Sequence, residues 1–466
     1  MRNGVIQDDT LPQLQKATDP KIMAAAFEAF FSDQYPGRGL KVNDCQISRV
    51  QHRPGKECNI TYRLSGHDCD RRAYDQWIFA KMLASGGDHN LAPKEQPSQW
   101  PGCDFWKPLS SWREMNMLLH AFPYDVKMPY LGQLLEPEFV RKEIETRLPS
   151  FGLTNAWTCR EVTCHKIKYM PTRRCVLRYD IVFADAANRQ RQIEFYSKTY
   201  NSANSRYVYD VLSAVCASPA CRSGKLNIPA PIANLDNSNT LWQHAWAGTK
   251  FGSVMRERGW ASLPHSGFMP KIATMLAALH QVEIPDVSLL DGPTTAQAIE
   301  NAYADAEDIA QFLPEHRTIL AEAAKTLADM APKVAVHSTR ATIHGSFKVA
   351  QLLCREQELA LVDFDSISRG DPLYDLAEFF ASILYLIVSD SIPAAAMIAS
   401  VESFWSAYQQ QVAWACDRRS LAWYLVAFLL GKMHSSLKRF ESQAIENMPL
   451  AFDLVKEWLA VVKRKA

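Results

Sequence analysis

One segment in the last third of the chain brings several polar and ionisable side chains close together along the sequence. Its polar side chains are those of His344, Ser346, Lys348, Gln351 and Asp363. Asp363 ends an apolar run that reads as a β-strand, and a carboxylate at the end of a strand is well placed to bind a metal. Mg²⁺ is a hard cation that prefers oxygen ligands. The segment therefore predicts a metal-dependent site.

The order of three motifs makes this segment specific. His-Gly-Ser-Phe-Lys-Val-Ala-Gln spans 344–351, Leu-Val-Asp-Phe-Asp spans 361–365, and Gly-Asp-Pro-Leu-Tyr-Asp-Leu-Ala spans 370–377. They resemble the catalytic core of the aminoglycoside phosphotransferase family, within the kinase-like superfamily. The corresponding pattern there is H-G-D-x-x-x-x-N, then I-D-F/W, then G-D-P-x-x-D-L-A. The resemblance covers about residues 150–466.

The resemblance implies a role for each matching position. Asp363 and Gln351 would hold Mg²⁺, because Gln351 stands where the family has Asn or Gln. Lys348 would reach the γ-phosphate of ATP, and Lys198 would contact the α- and β-phosphates. Asp210 is the candidate acid partner of Lys198.

Other matching positions are expected to hold the fold. His344, Asp371 and Asp375 would brace the catalytic loop from buried positions. Asp365 would either touch the metal or cap a turn.

Ser346 departs from the family pattern, since it stands where the family has its catalytic Asp. A serine hydroxyl accepts a hydrogen bond, but it has no carboxylate to orient or deprotonate a substrate hydroxyl. A positioned acid–base group contributes about 10²–10⁴ in rate, which is about 3–5 kcal/mol of barrier. Phosphoryl transfer by the family route is therefore expected to be impaired.

An internal repeat links Lys198 to an earlier region of the chain. At an offset of 117 residues, several positions carry identical residues: Pro54 and Pro171, Cys58 and Cys175, Tyr62 and Tyr179, and Lys81 and Lys198. Each copy reads as a strand, a turn containing Pro, a second strand, a loop and a strand with the lysine. The alternative is that two unrelated antiparallel hairpins look alike. The shared lysine register favours duplication, with Lys81 as a solvated or interface lysine.

The nucleotide is expected to contact two further regions. The turn before the second strand of the later copy has Thr172 in place of a glycine, so backbone approach to phosphates is harder there. Arg173 and Arg174 could supply charge instead. The resemblance places a hinge at 242–248, where Gln243 and Trp246 would bind the nucleotide.

Composition excludes several classes of protein. The 51 Lys and Arg residues balance 50 Asp and Glu residues, which argues against a nucleic-acid binder. The first residues lack the apolar core of a secretory signal, and the apolar runs fall short of about 20 residues, so no membrane segment is expected. The 11 cysteines form no C-x-x-C pair, which indicates a reducing compartment. A cytoplasmic protein is predicted.

The expected fold is α+β: a protein-kinase-like two-lobe core with an additional N-terminal β-rich domain that contains the duplicated hairpin. The predicted divisions are an N-terminal extension (1–150), a β-rich N-lobe (151–247) and a helical C-lobe (248–466) with its catalytic-loop-like segment at 343–376. Strands are expected over 41–83, helices over 271–280 and 295–312, and a surface loop over 85–101.

Two functional hypotheses remain open, both with ATP and Mg²⁺ as implied cofactors. In the first, the chain is a nucleotide-binding, pseudokinase-type protein whose phosphotransfer is impaired or lost, and it uses nucleotide or a protein partner for regulation. In the second, it is an active phosphotransferase for a hydroxyl of a small molecule such as a sugar or amino sugar. A nucleotidyl transfer by reoriented ATP is a third route.

Overall fold

The computed structural model of the chain describes residues 8–84, 107–284, 287–336 and 339–464. The expected loop at 85–101 lies outside these residues. By Cα packing the chain divides into two compact units. Unit 1 is Met1–Ala203 with Leu235–Thr240 and Lys438–Phe440, and unit 2 is Asn204–Asn234, Leu241–Leu437 and Glu441–Ala466. The sequence-based division into an extension, an N-lobe and a C-lobe has other boundaries and stays a prediction.

Unit 1 is mainly β. Its elements are α1 (Leu14–Ala17), α2 (Pro20–Gln34), β1 (Lys41–Arg53), β2 (Glu57–His67), β3 (Ala73–Leu83), β4 (Leu109–Trp112), β5 (Met117–Ala121), α3 (Leu131–Leu134), α4 (Pro137–Glu145), β6 (Trp157–Met170), β7 (Arg174–Asp185) and β8 (Gln190–Tyr200). The strands expected over 41–83 are confirmed as β1, β2 and β3. Strands β9 (Pro231–Leu235) and β10 (Thr240–His244) cross the division between the units.

Two five-stranded sheets have the same strand order. The first is β1-β2-β3-β5-β4 and the second is β6-β7-β8-β10-β9. The central strands also share their register, because Asn59 lies opposite Lys81 and Val176 lies opposite Lys198. Both pairs keep the offset of 117 residues that the sequence repeat has.

Contacts outside the strands follow the same offset. The Tyr62 hydroxyl donates to the carbonyl of Ala17 at 2.6 Å, and the Tyr179 hydroxyl donates to the carbonyl of Leu134, also at 2.6 Å. Each tyrosine is fully buried, and each carbonyl belongs to the last residue of a one-turn helix, α1 or α3. The correspondence thus extends to the helices that precede each sheet.

Unit 2 is mainly helical. Its elements are α5 (Asn204–Cys216), α6 (Pro219–Arg222), β11 (Thr249–Lys250), α7 (Phe251–Arg258), α8 (Phe268–His280), α9 (Thr295–Phe312), α10 (Arg317–Val336), β12 (Ala341–Ile343), β13 (Leu352–Arg355), β14 (Glu358–Leu361), β15 (Ser368–Gly370), α11 (Pro372–Leu384), α12 (Leu386–Ser389), α13 (Ala394–Gln409), α14 (Arg418–Arg439), α15 (Ser442–Glu446) and α16 (Met448–Lys463).

Local signals set the limits of the helices that position the site. Thr294 and Gln297 form a capping box, in which each side chain accepts the other residue's backbone N–H, and α9 begins at Thr295 as expected. Asp371 caps α11 by accepting the N–H of Leu373, and Pro372 occupies the first helical position. The helix expected over 271–280 is confirmed within α8.

The core of unit 2 surrounds α11. The ring of Phe379 lies 5.0 Å from that of Phe347, in the loop after β12, and 5.0 Å from that of Phe404 on α13. Pro372–Ser389 is long and apolar enough to cross a membrane, but 72% of it is buried, as in core helices. The buried face of α11 therefore fixes the loop that carries the candidate site.

Candidate functional site

The loop between β12 and β13 carries the predicted catalytic positions, and a short 3₁₀ helix, Val349–Gln351, closes it. Strand β12 pairs with β15, with Ile343 opposite Ser368. Gly345 takes a φ of +73°, and a Cβ there would lie 2.2 Å from the carbonyl oxygen of Ser366. Only glycine fits at this turn, and its conformation sets the direction in which the loop leaves β12.

A buried carboxylate on α11 braces this loop. Asp375 is fully buried and accepts the backbone N–H of His344 at 2.6 Å and of Gly345 at 2.9 Å. Its Oδ2 also lies 3.1 Å from Nε2 of His280, whose Nδ1 lies 2.7 Å from the hydroxyl of Tyr408. Buried polar groups need such partners, because each one left unsatisfied costs about 1–3 kcal/mol. The geometry agrees with the structural role expected for Asp375.

His344 ties the loop to the segment that follows β14. Its side chain is fully buried, and Nε2 lies 3.0 Å from the carbonyl oxygen of Val362, next to Asp363. Burial lowers the pKa of His344, because desolvation disfavours the charged imidazolium. A neutral, hydrogen-bonded His344 serves as a brace, as the sequence predicted.

Asp363 and Gln351 lie together, as a metal site requires. Nε2 of Gln351 lies 3.5 Å from Oδ2 of Asp363. Asp363 adopts a φ of +71°, a left-handed conformation that is uncommon outside glycine and concentrates at functional sites. Gln351 is 5% exposed, and its Oε1 is buried without a hydrogen-bond partner.

These residues fit Mg²⁺. A carboxylate and an unsatisfied amide oxygen are hard ligands of the kind that Mg²⁺ takes, together with water and substrate phosphates. Among the described residues, no group of three His, Cys, Asp or Glu side chains could hold a metal by itself. The pair thus suits a cation that arrives with a nucleotide, and the assignment of both ligands remains a prediction.

Ser346 and Lys348 point toward each other, and a third residue joins them. Nζ of Lys348 lies 3.1 Å from Oγ of Ser346 and 3.5 Å from Oε1 of Glu378 on α11. Burial raises the pKa of Glu378 to about 7, with Lys348 acting in the opposite direction. The ammonium group of Lys348 therefore bridges the Glu378 carboxylate and the Ser346 hydroxyl.

Sequence reasoning missed Glu378 as a site residue. In the sequence it appears only as the acid that interrupts the apolar run after Leu376. That interruption was the available signal, because a carboxylate is almost never buried without a partner. Glu378 follows Asp375 on the same helix and so reaches the same loop.

The predicted phosphate contacts of unit 1 lie at one end of its second sheet. Arg173 is exposed in the turn between β6 and β7, and Arg174 begins β7. Lys198 lies on β8, with Nζ 5.8 Å from the ring centre of Tyr200. In the first sheet, Nζ of Lys81 lies 3.0 Å from Oε2 of Glu57.

The predicted hinge contacts and the candidate acid partner belong to unit 2. Nε2 of Gln243 donates to the carbonyl oxygen of Pro229 at 2.7 Å. The guanidinium of Arg355 lies 5.2 Å from the ring centre of Trp246. Asp210 lies on α5, 3.8 Å from the guanidinium of Arg206.

A cavity of about 250 Å³ opens among α9, α11 and α14 in unit 2. The rings of Tyr374, Tyr424 and Phe428 line it, with the carboxylate of Asp305. Nδ1 of His434 lies 2.6 Å from Oδ1 of Asp305, which fixes this carboxylate. The sequence did not indicate this cavity, because it combines helices that are far apart along the chain.

Comparison with known proteins finds one family whose model matches a segment of the chain. Residues 195–418 match the model of the phosphotransferase enzyme family. The resemblance predicted from the motifs of 344–377 is thereby confirmed over this segment, which contains them. No curated protein matches the chain.

Several solved structures are similar to the chain at low identity. Choline kinase LicA from Streptococcus pneumoniae is 12% identical, with a TM-score of 0.42 over 69% of this chain and 98% of its own. The aminoglycoside phosphotransferase APH(3'')-Id from Streptomyces rimosus is 17% identical, with a TM-score of 0.35 over 65% of this chain and 98% of its own.

Proposed function

We propose, from the family match and the loop geometry, that this chain binds a nucleotide with Mg²⁺ and has a weakened phosphoryl-transfer reaction toward a small-molecule hydroxyl. The observation that supports it is the pair formed by the Asp363 carboxylate and the buried amide of Gln351, 3.5 Å apart. The loop that carries Gln351 is braced by Asp375 at His344 and Gly345, which supports a Gln351 position that is set before a nucleotide arrives.

Each residue of the loop would contribute in a defined way. Phosphoryl transfer passes through a loose transition state whose charge spreads over the phosphoryl oxygens, so positioning and neutralisation dominate catalysis. Bound Mg²⁺ would neutralise phosphate oxygens. The ammonium of Lys348 would face the γ-phosphate, while Ser346 would orient an acceptor hydroxyl without removing its proton. The loss of that proton acceptor accounts for the weakened transfer.

The cavity of unit 2 is the proposed acceptor site. The Asp305 carboxylate attracts positive charge, and a cation that lies over the ring of Tyr374 or Tyr424 is stabilised further. An amine-bearing hydroxyl compound, such as an amino sugar, therefore fits better than a neutral sugar. A volume of about 250 Å³ limits the bound portion to a single small group.

Calorimetric titration with ATP and Mg²⁺ tests the proposed nucleotide site. The native chain should bind, and Asp363→Ala should weaken binding at least about tenfold, as expected when a metal ligand is lost. Asp329→Ala is the matched control, because Asp329 is exposed on α10 and pairs only with Lys325 among the described residues. Failure of the native chain to bind ATP with Mg²⁺ would contradict the proposal.

The active phosphotransferase remains a second candidate. It is favoured by the Lys348 ammonium, which lies 3.1 Å from Ser346 and 3.5 Å from a buried carboxylate. The two candidates differ in the turnover of bound ATP, which is slow or absent in the first. A role limited to the regulation of a protein partner would leave the acceptor cavity without function.

A further inference from the structure

The family reaction needs a carboxylate near the acceptor hydroxyl, and Ser346 does not supply one. Within the described residues, Glu378 contacts the same ammonium group as the Ser346 hydroxyl. The two residues are 32 positions apart in the sequence, and the packing of α11 beneath the loop brings them together. The carboxylate therefore occupies the neighbourhood of the missing group, but it comes from a different element.

Glu378 also lies next to the proposed acceptor cavity. Tyr374, which lines the cavity, precedes Glu378 by four residues on α11, so the two side chains share one face of the helix. On α14, Gly431 lines the cavity and its neighbour Lys432 interacts electrostatically with Glu378. The Glu378 side chain is 13% exposed, so it retains some access.

We propose that Glu378 supplies the carboxylate that position 346 lacks and accepts the proton of the acceptor hydroxyl during phosphoryl transfer. The inference rests on the proposed function, since it requires bound ATP with Mg²⁺. In this proposal the proton acceptor is Glu378 on α11, whereas the family pattern places it at position 346 of the loop.

The step balances in atoms and charge. The acceptor oxygen attacks the γ-phosphorus of ATP and forms a new P–O bond. The bond between the γ-phosphorus and the β,γ-bridging oxygen breaks, and ADP leaves with the electron pair. The acceptor proton moves to Oε of Glu378 and later passes to solvent. Lys348 keeps its proton throughout and stabilises the charge on the phosphoryl oxygens.

The charges around Glu378 suit a proton acceptor near neutral pH. Lys348 from the loop and Lys432 from α14 lower its pKa, while burial, the first cause, and Asp375 on its own helix raise it to about 7. Tyr374, also on α11, interacts electrostatically with Glu378, and burial raises the pKa of Tyr374. General bases work best when their pKa lies near the working pH. Transfer should therefore rise with pH through about 7, as Glu378 loses its proton.

Phosphate release from ATP with Mg²⁺, with water as the acceptor, tests the inference on the full chain. Glu378→Gln should lower the rate about 10²–10⁴-fold and remove the rise with pH, while calorimetry shows unchanged ATP affinity. Glu457→Gln is the matched control, because Glu457 is an exposed helical glutamate on α16. It should leave both measurements unchanged.

A double substitution separates a catalytic role from a structural one. If Glu378 replaces the missing carboxylate, Ser346→Asp should restore the rate in the Glu378→Gln background, whereas a folding defect would not be repaired at position 346. Glu378→Asp, which keeps the carboxylate, should retain some of the rate and the pH dependence even if Glu378→Gln folds poorly.

Three outcomes would overturn the inference. They are an unchanged rate in Glu378→Gln, no rescue by Ser346→Asp, and ATP binding without measurable phosphate release in the native chain. The last would leave the proposed nucleotide site standing. Absence of ATP binding, in contrast, would contradict the proposed function itself.

Discussion

Two aspartates at the start of α11 meet different electrostatic conditions. Asp375 receives two backbone N–H groups and faces His280, so its charge has several partners. Asp371 is 7% exposed, and it accepts the backbone N–H of Leu373 at 2.9 Å. Burial raises the pKa of Asp371 to about 6 from an ordinary value near 3.8. Between about pH 4 and 6, Asp371 is therefore protonated in the folded chain and ionised in the unfolded chain.

This pKa shift makes the stability of the folded chain depend on pH through Asp371. Because its pKa is higher in the folded state, its contribution is complete below about pH 4 and is lost as pH rises through about 6. The loss amounts to roughly 3 kcal/mol of unfolding free energy, from about 1.4 kcal/mol per pKa unit. Asp371→Asn keeps the helix cap and removes the titration.

Urea unfolding of the native chain and Asp371→Asn between pH 4 and 7 measures this effect. The native chain should lose stability relative to the variant as pH rises across this range. Asp390→Asn, at a position whose side chain accepts only from Ser389 among the described residues, serves as the control. Parallel curves for the native chain and Asp371→Asn would show that Asp371 does not titrate in this range.

At the level of secondary-structure elements, the two halves of unit 1 repeat their contacts as well as their strands. Asp8 accepts the backbone N–H of Gly55 at 2.9 Å, and Asp125 accepts the backbone N–H of Thr172 at 2.7 Å. Both pairs keep the offset of 117 residues, and each closes the turn between the first two strands of its sheet. We interpret residues 8–83 and 125–200 as two copies of one fold, an interpretation that extends the hairpin repeat expected from the sequence.

The two turns differ in the residue that takes the left-handed conformation. Gly55 has a φ of +71°, whereas Thr172 has a φ of +59° and is a β-branched residue at the same place. A left-handed conformation costs a residue with a Cβ about 1–2 kcal/mol, and the greater unfolded-chain entropy of glycine offsets some of that difference. Thr172→Gly should therefore stabilise the chain by up to about 1 kcal/mol.

The reverse exchange is the control for this prediction. Gly55→Thr should destabilise the chain by up to about 1 kcal/mol, although a Cβ at position 55 would meet no atom within 4 Å. Free energies of unfolding from urea titrations would compare the two variants. Destabilisation by Thr172→Gly would mean that the threonine side chain has contacts worth more than the backbone strain.

The charges of the two copies also diverge. In the first, Lys81 is paired with Glu57 of the neighbouring strand at 3.0 Å. The position that corresponds to Glu57 in the second copy is Arg174, which is cationic. The first lysine thus has an acid within its own sheet, in agreement with the solvated or interface role expected for Lys81. The turn of the second copy also carries two adjacent arginines, Arg173 and Arg174, and their predicted contact with a nucleotide stays a prediction.

Across the molecule as a whole, the cysteines differ in how deeply their thiols are buried. All ten cysteines in the described residues are free, and Cys103 lies outside them. Burial raises the pKa of Cys58 and Cys164 to about 12, so their thiolates are scarce at neutral pH. Cys69 is exposed. The cytoplasmic location expected from the sequence stays a prediction.

Thiol labelling at pH 8 checks this distribution. Among the described cysteines, Cys69 should react rapidly in the folded chain, and Cys69→Ser should remove that reaction. Cys58 and Cys175 are fully buried and should react only after unfolding. Rapid labelling of Cys58 in the folded chain would contradict the burial of the first sheet.

Short-range patterns were enough to predict the local features of this protein. Strands over 41–83 and the helix at 295–312 follow from apolar residues, turn residues and caps, which act within a few positions. The motifs of 344–377 likewise predicted a braced loop followed by a strand that ends in a carboxylate. Asp375 and His344 occupy the bracing positions expected of them.

Which distant side chains share the site became visible only in the folded chain. Glu378 and Ser346 both contact the ammonium group of Lys348 because α11 packs under the loop. No short-range sequence pattern predicts that arrangement. The cavity beside it arises from three helices that meet only after folding. Sequence patterns report the neighbours of a residue along the chain, whereas burial and charge at a site depend on neighbours in space.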